Sequence, residues 1–166
     1  MILGMSIAAF TQVHVALSLI GIASGLIVVF GMIGGRRLPA LTAIFLIATA
    51  ATSVTGFLFP FKGVTPGIAI GILSTAVLLL AAIARYGGHL RGVWRGTWVI
   101  AAILALYFNF FVLIVQSFEK VPALRRLAPT QSAMPFKLTQ LVALAGFIVL
   151  TVLAIKGFRP GEPSGA

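Results

Sequence analysis

Residues 96–118 read GTWVIAAILALYFNFFVLIVQSF, without one charged side chain. As a helix, a run of this length extends about 35 Å at 1.5 Å per residue. The hydrocarbon core of a bilayer is roughly 30 Å thick. Inside it an unpaired backbone group is too costly to leave open, so a spanning run must be a helix or part of a closed barrel. A barrel strand would alternate polar and apolar residues. Neither this run nor Leu17-Ser18-Leu19-Ile20-Gly21-Ile22-Ala23 nor Val77-Leu78-Leu79-Leu80-Ala81-Ala82-Ile83 alternates.

Four more runs of this kind flank it. The first extends from about Ile7 to Ile33 and stops at Gly34-Gly35-Arg36-Arg37. The second runs from Pro39 to Phe59, and the third from Pro66 to Arg85. The fifth runs from Leu138 to Ile155, before Lys156 and a Pro/Gly-rich tail. The sequence therefore predicts an all-α, polytopic membrane protein. A single bundle of five transmembrane helices covers residues 1–158, and 159–166 form a disordered tail. The first run has no basic residue before Arg36 and is too long for a signal-peptide core, so it reads as a retained span.

Composition agrees. The chain has 166 residues, is 60% hydrophobic and 8% charged, and has a mean hydropathy of +1.16. Soluble domains carry about 25% charged residues. There is no Cys, which excludes disulfides, thiolate metal sites and thiol redox chemistry. The only acids are Glu119 and Glu162, against twelve Lys and Arg. These cations are scattered between apolar runs rather than clustered, so they read as membrane-surface anchors and not as a nucleic-acid patch.

Lys and Arg also bear on orientation. Arg36, Arg37, Arg85, Arg91 and Arg95 fall on one side before the fourth span, and only Lys62 on the other. The N-terminus is expected outside and the C-terminus in the cytoplasm. The fourth connection, EKVPALRRLAPTQSAMPFK from Glu119 to Lys137, is basic and opposes that reading. It reads either as a short interfacial helix near 122–128, burying Val121, Ala123, Leu124, Leu127 and Ala128, or as a plain headgroup-bound linker. Pro135 would lie in the turn that leads back into the fifth span.

Alternating spans put Gln12, His14, Thr52, Ser53, Thr55, Asn109, Gln116 and Gln140 in one half of the bilayer, beneath that connection. The threonines can bond their own helix carbonyls. Asn109 cannot satisfy its amide in that way, and it shares a stripe with Trp98, Ala102, Ala105 and Gln116. His14, Asn109, Gln12, Ser53, Gln140 and Gln116 are the candidate ligand-binding residues of a neutral polar pocket. The bland alternative for each is helix-to-helix hydrogen bonding.

No carboxylate lies within a span, which argues against Asp/Glu proton relays and hard-cation sites. His14 has too few companions for a metal site. His89 falls at the opposite face, so a haem clamp between the two is excluded. No metal or cofactor is expected, and no nucleophile-base arrangement accompanies His14, so catalysis is disfavoured. Uncharged donors, Tyr107, Phe108, Phe110, Phe111, Phe57 and Phe59 suit an amphiphile such as a quinone or a lipid. The leading expectation is such a binding protein, or an accessory subunit of a larger membrane complex. The alternative is a small transporter or channel, homo-oligomeric because five helices enclose little pore.

The run Ala128-Pro129-Thr130-Gln131-Ser132 with Pro135-Phe136, together with Thr52-Ser53-Val54-Thr55-Gly56-Phe57-Leu58-Phe59-Pro60-Phe61, resembles segments of small multi-pass bacterial membrane proteins with no assigned function. The resemblance implies five spans and a bacterial inner-membrane location, and it transfers no activity or site residue. The Trp/Pro-rich pattern of the five-span translocator-protein family is absent, since the second span holds no Trp.

Overall fold

Helix α1 (Ile7–Ile33) opens on Ser6, whose hydroxyl accepts the Ala9 N–H at 3.2 Å. It closes on Gly34-Gly35. Gly35 takes a left-handed φ of 73°, and the Arg36 N–H donates back to the Gly31 carbonyl at 2.8 Å. This is the glycine-terminated helix end expected of the sequence. In this computed structural model the described residues are 1–60 and 66–159, with the side chain of Pro66 excepted.

Five further helices follow: α2 (Pro39–Phe57), α3 (Pro66–Ala82), α4 (Val93–Lys120), α5 (Pro122–Leu127) and α6 (Met134–Gly157). A π-helical turn, Ile83–Gly87, prolongs α3. There is no strand among the described residues, apart from an isolated bridge between Ile2 and Met5. Five helices are long and apolar enough to cross a membrane, so the protein is an all-α polytopic membrane protein. The residues from Pro160 onward, and hence most of the expected tail, lie outside the described residues, as does Gly63.

Two boundaries moved for local reasons. The fifth span was expected to start at Leu138 but starts at Met134, because Pro135 sits in the first helical turn, where its missing N–H costs nothing. It is not part of a preceding turn. The fourth span is longer at both ends than its uncharged run. At 28 residues it extends about 42 Å, well beyond a hydrocarbon core of roughly 30 Å. Its last turns, with Glu119 and Lys120, therefore reach the headgroup level.

Helix α4 is the hub and touches all the other helices. Its stripe Trp98, Ala102, Ala105, Asn109 is buried as expected. Beyond Asn109 the buried face swings to Ile114 and Phe118, towards α5 and α6, and Gln116 is left exposed. The main core gathers Trp98, Val99, Ile103 and Leu106 of α4 with Val29 and Met32 of α1 and Phe45 of α2.

Small residues on α1 set the packing distance. A Cβ on Gly25 would lie 2.7 Å from Leu106 Cδ1 and 2.9 Å from the Phe45 ring. A Cβ on Gly21 would lie 3.1 Å from Thr49 Oγ1 and 3.4 Å from Asn109 Nδ2. On α3 a Cβ on Gly71 would lie 3.0 Å from the ring of Phe57, a side chain and not a neighbouring backbone.

At the other end of α1 a Cβ on Gly157 would run into the Ile33 carbonyl, so α6 and α1 meet there backbone to backbone. Arg95 ties the same corner by donating from Nη1 to the carbonyls of Ile155 (3.0 Å) and Phe158 (2.6 Å), two acceptors that the end of α6 leaves open. Gly157→Ala is therefore expected to lower the unfolding temperature in detergent, at a cost of about 1–3 kcal/mol for overpacking. Gly146→Ala, whose Cβ meets nothing within 4 Å, should be neutral or stabilising, since Ala exceeds Gly in helix propensity by about 0.8–1.0 kcal/mol.

Candidate functional site

The six sequence candidates do not share one cavity. They fall into a three-helix contact, a two-helix contact, a cross-link and three side chains with no hydrogen bond described here.

Asn109 is 8% exposed, and its Nδ2 donates to Thr49 Oγ1 of α2 at 3.4 Å. Thr49 itself is fully buried. The pair occupies the space that Gly21 of α1 leaves open. Thr49 thus supplies the partner that Asn109 could not find in its own helix. Sequence reasoning missed it, since nothing in the sequence pairs Thr49 with Asn109.

His14 is half-buried, and its Nδ1 lies 2.8 Å from Thr55 Oγ1. Thr55 commits its hydroxyl proton to its own helix, to the carbonyls of Ala51 at 2.7 Å and Thr52 at 3.1 Å. That hydroxyl has one proton: when it stays on a helix carbonyl the Thr55 oxygen accepts from His14 Nδ1–H, and when it turns to the imidazole His14 Nδ1 accepts. Phe59 stands edge-on to the imidazole, its centroid 5.4 Å away, and packs on Phe10 at 5.1 Å.

Gln140 of α6 donates from Nε2 to the Phe111 carbonyl of α4 at 3.3 Å, while its Oε1 is buried without a partner. Gln12 and Gln116 have exposed side chains, and Ser53 is partly buried. Thr52 bonds back to the Ala48 carbonyl at 2.8 Å. Polar groups are also not confined to one half of the bundle. Ser24 and Thr42, both buried, lie toward the opposite face, and Ser74 on α3 is buried with an unpartnered hydroxyl.

A cleft of about 560 Å³ lies beneath the 119–137 connection, with a lining different from that of the expected neutral pocket. Phe118 and Phe136 form its aromatic floor, edge to face at 5.5 Å. Val115, Ala128 and Pro129 complete the apolar part. Glu119, Lys120, Arg125, Thr130 and Gln131 line the rest, so the cleft is charged rather than neutral. None of the six candidates lines it.

The connection is shaped to roof this space. Pro122 opens α5, and the Ala128 N–H closes it on the Leu124 carbonyl at 2.9 Å. Gln131 Nε2 donates to Glu119 Oε1 at 3.1 Å, tying the roof to the end of α4. Only Leu124 and Ala128 turn toward the bundle. Val121 and Leu127, expected to be buried by it, are 44% and 61% exposed. A short helix lying in the interface offers such residues to the acyl-chain boundary while Arg125 and Arg126 reach the headgroups.

The arrangement provides three helix-to-helix polar contacts within the spans and one polar-rimmed, aromatic-floored cleft at the surface. Among the described residues no group of His, Cys, Asp and Glu is placed to hold a metal ion. Comparison with protein-family models, with curated proteins and with solved structures finds no match to this chain.

If Asn109 and Thr49 serve packing, their effects are coupled. Asn109→Leu or Thr49→Val alone should destabilise by about 0.6–1.7 kcal/mol, the span measured for polar contacts between membrane helices. The double variant should cost less than the two together, because it leaves no orphaned group. Equilibrium unfolding of the four proteins in mixed micelles measures the coupling.

Proposed function

We propose that this chain is an integral membrane protein that holds an amphiphilic small molecule, a lipid or a quinone in class, with its polar head in the cleft under the 119–137 connection. The observation that carries the reading is the cleft itself. Its volume of about 560 Å³ falls within the roughly 300–1,000 Å³ of small-molecule sites. Lys120, Arg125 and Gln131 offer donors to the oxygens of a head group, and Phe118 and Phe136 offer flat apolar surface to the body below it. His14 and Asn109 support the site indirectly, by fixing α1 and α2 against each other and against α4. Binding of this kind also fits an accessory subunit that carries the amphiphile for a larger complex.

The alternative of a conduit draws no support from the packing, because Leu106, Ala102, Trp98, Val99 and Phe45 fill the middle of the bundle. The Lys and Arg distribution supports an outside N-terminus in a bacterial inner membrane, which would put the cleft on the non-cytoplasmic side.

Mass spectrometry of the gently purified protein tests the reading. A single class of amphiphile should be retained in stoichiometric amount. Phe136→Ala or Arg125→Gln should reduce its occupancy several-fold, and Asn109→Leu should leave it unchanged once the protein is folded. Retention that is indifferent to both cleft variants would overturn the assignment. Because the chain has no Cys, Ser132→Cys and Arg91→Cys can report orientation in whole cells. An impermeant maleimide is expected to label the first directly and the second only after permeabilisation.

A further inference from the structure

The face opposite the cleft carries a cation with one buried guanidinium nitrogen that no acceptor among the described residues reaches. Arg85 lies in the π-helical turn that ends α3, with its guanidinium 4.9 Å from the ring of Trp98 and 5.8 Å from that of Tyr86. Its Nη1 is buried without a hydrogen-bond partner, although the residue as a whole is only partly buried. Trp98 is fully buried, and its Nε1 likewise has no partner. Arg95, one helix away, shows the contrast: its guanidinium donates to two carbonyls at the end of α6. Among the described residues the only side-chain carboxylate is Glu119, at the far end of α4. A half-buried guanidinium with no internal counter-charge is costly, and an anion from outside relieves the cost.

A groove ends at Tyr86, the residue next to this cation. Ala43, Leu46, Ile47 and Ala50 of α2 face Leu78, Leu79 and Ala82 of α3 across a depression of about 280 Å³, and Tyr86 stands at its head. From Ala50 to Ala43 it rises about 10 Å along α2. It thus runs from mid-membrane to the face where Arg85 lies. Its walls are aliphatic, and its upper end is the aromatic ring that the guanidinium touches.

We infer that this is a site for an anionic phospholipid, with one acyl chain in the α2–α3 groove and its phosphate against Arg85. Two observations of different kind agree on that occupant. The groove takes a chain, and the unpaired guanidinium at its head takes an anion. Arg36, Arg37 and Arg91 lie on the same face and add to the attraction for an anionic surface. The Trp98 ring, 4.9 Å away, holds the guanidinium by a cation–π contact. This site is separate from the cleft at the other face, so either can fail without the other.

The test compares the folded protein in nanodiscs of phosphatidylglycerol and phosphatidylcholine, reading bound lipid by native mass spectrometry and the unfolding temperature. The wild type should retain phosphatidylglycerol in preference to phosphatidylcholine and unfold at a higher temperature with it. Arg85→Gln should lower that preference roughly fivefold, as loss of one cation worth about 1 kcal/mol at a membrane surface implies. Arg85→Lys should keep most of it. Ala82→Phe, which fills the groove and leaves Arg85 in place, should lose it too. Lys137→Gln, a cation at the other face that does not line the cleft, should not. An undiminished preference in Arg85→Gln or Ala82→Phe would overturn the inference. So would inorganic phosphate reproducing the full thermal shift in neutral detergent, since that would make the ligand a soluble anion.

Discussion

The structure depends on the absence of side chains at Gly21 and Gly25 of α1. That face lets α2 and α4 close on α1 at the same level. Phe45 and Leu106 take up the room left by Gly25, and Thr49 and Asn109 that left by Gly21. Lipid gives helices no hydrophobic reason to associate, so contact must come from close packing and from polar groups that find partners only in each other. The α1–α2–α4 contact supplies both within about one helical turn. Arg95 and Gly157 then fasten α6 at one end, and Gln140 fastens it to α4 nearer the other.

The cleft follows from a mismatch of length. Helix α4 is longer than a hydrocarbon core is thick, so its end emerges with Phe118, Glu119 and Lys120. The chain must then return to start α6. Pro122 and Pro135 set the first turns of the two helices on either side of the return. Between them the connection folds over Phe118 and Phe136 instead of lying flat, which leaves an aromatic hollow with a charged rim. A site built in this way sits at the depth where an amphiphile keeps its head. On the proposed reading, specificity rests on the head group, and the walls below accept an apolar body.

Much of the fold was legible because hydrocarbon imposes a strict rule on length and polarity. The five spans follow from it; the Gly34-Gly35 stop follows from helix-end geometry, and of the two readings left open after Pro122 the short helix is the one found. The start of α6 was misread, because Lys137 bounds the uncharged run and Pro135 was read as part of a turn; the first turn of a membrane helix lies at the headgroups and accepts both. The polar candidates were read correctly as facing inward at His14 and Asn109. Their grouping into one pocket was not legible. Depth can be counted along a sequence, but which helix faces which cannot. Thr49 and Thr55 capture Asn109 and His14 separately. The cleft was hidden for a related reason: Phe118 and Phe136 are ordinary aromatics of a membrane boundary until the connection brings them together. Arg85 and Trp98 were hidden in turn, since a cation near a span end normally reads only as an anchor.

An experimental density map of the protein in lipid nanodiscs measures the central claim most directly. The account predicts density for an amphiphile head in the hollow bounded by Phe118, Phe136 and Arg125, with Asn109 and Thr49 in direct contact and nothing between them. An empty cleft, or density wedged between Asn109 and Thr49, would contradict it.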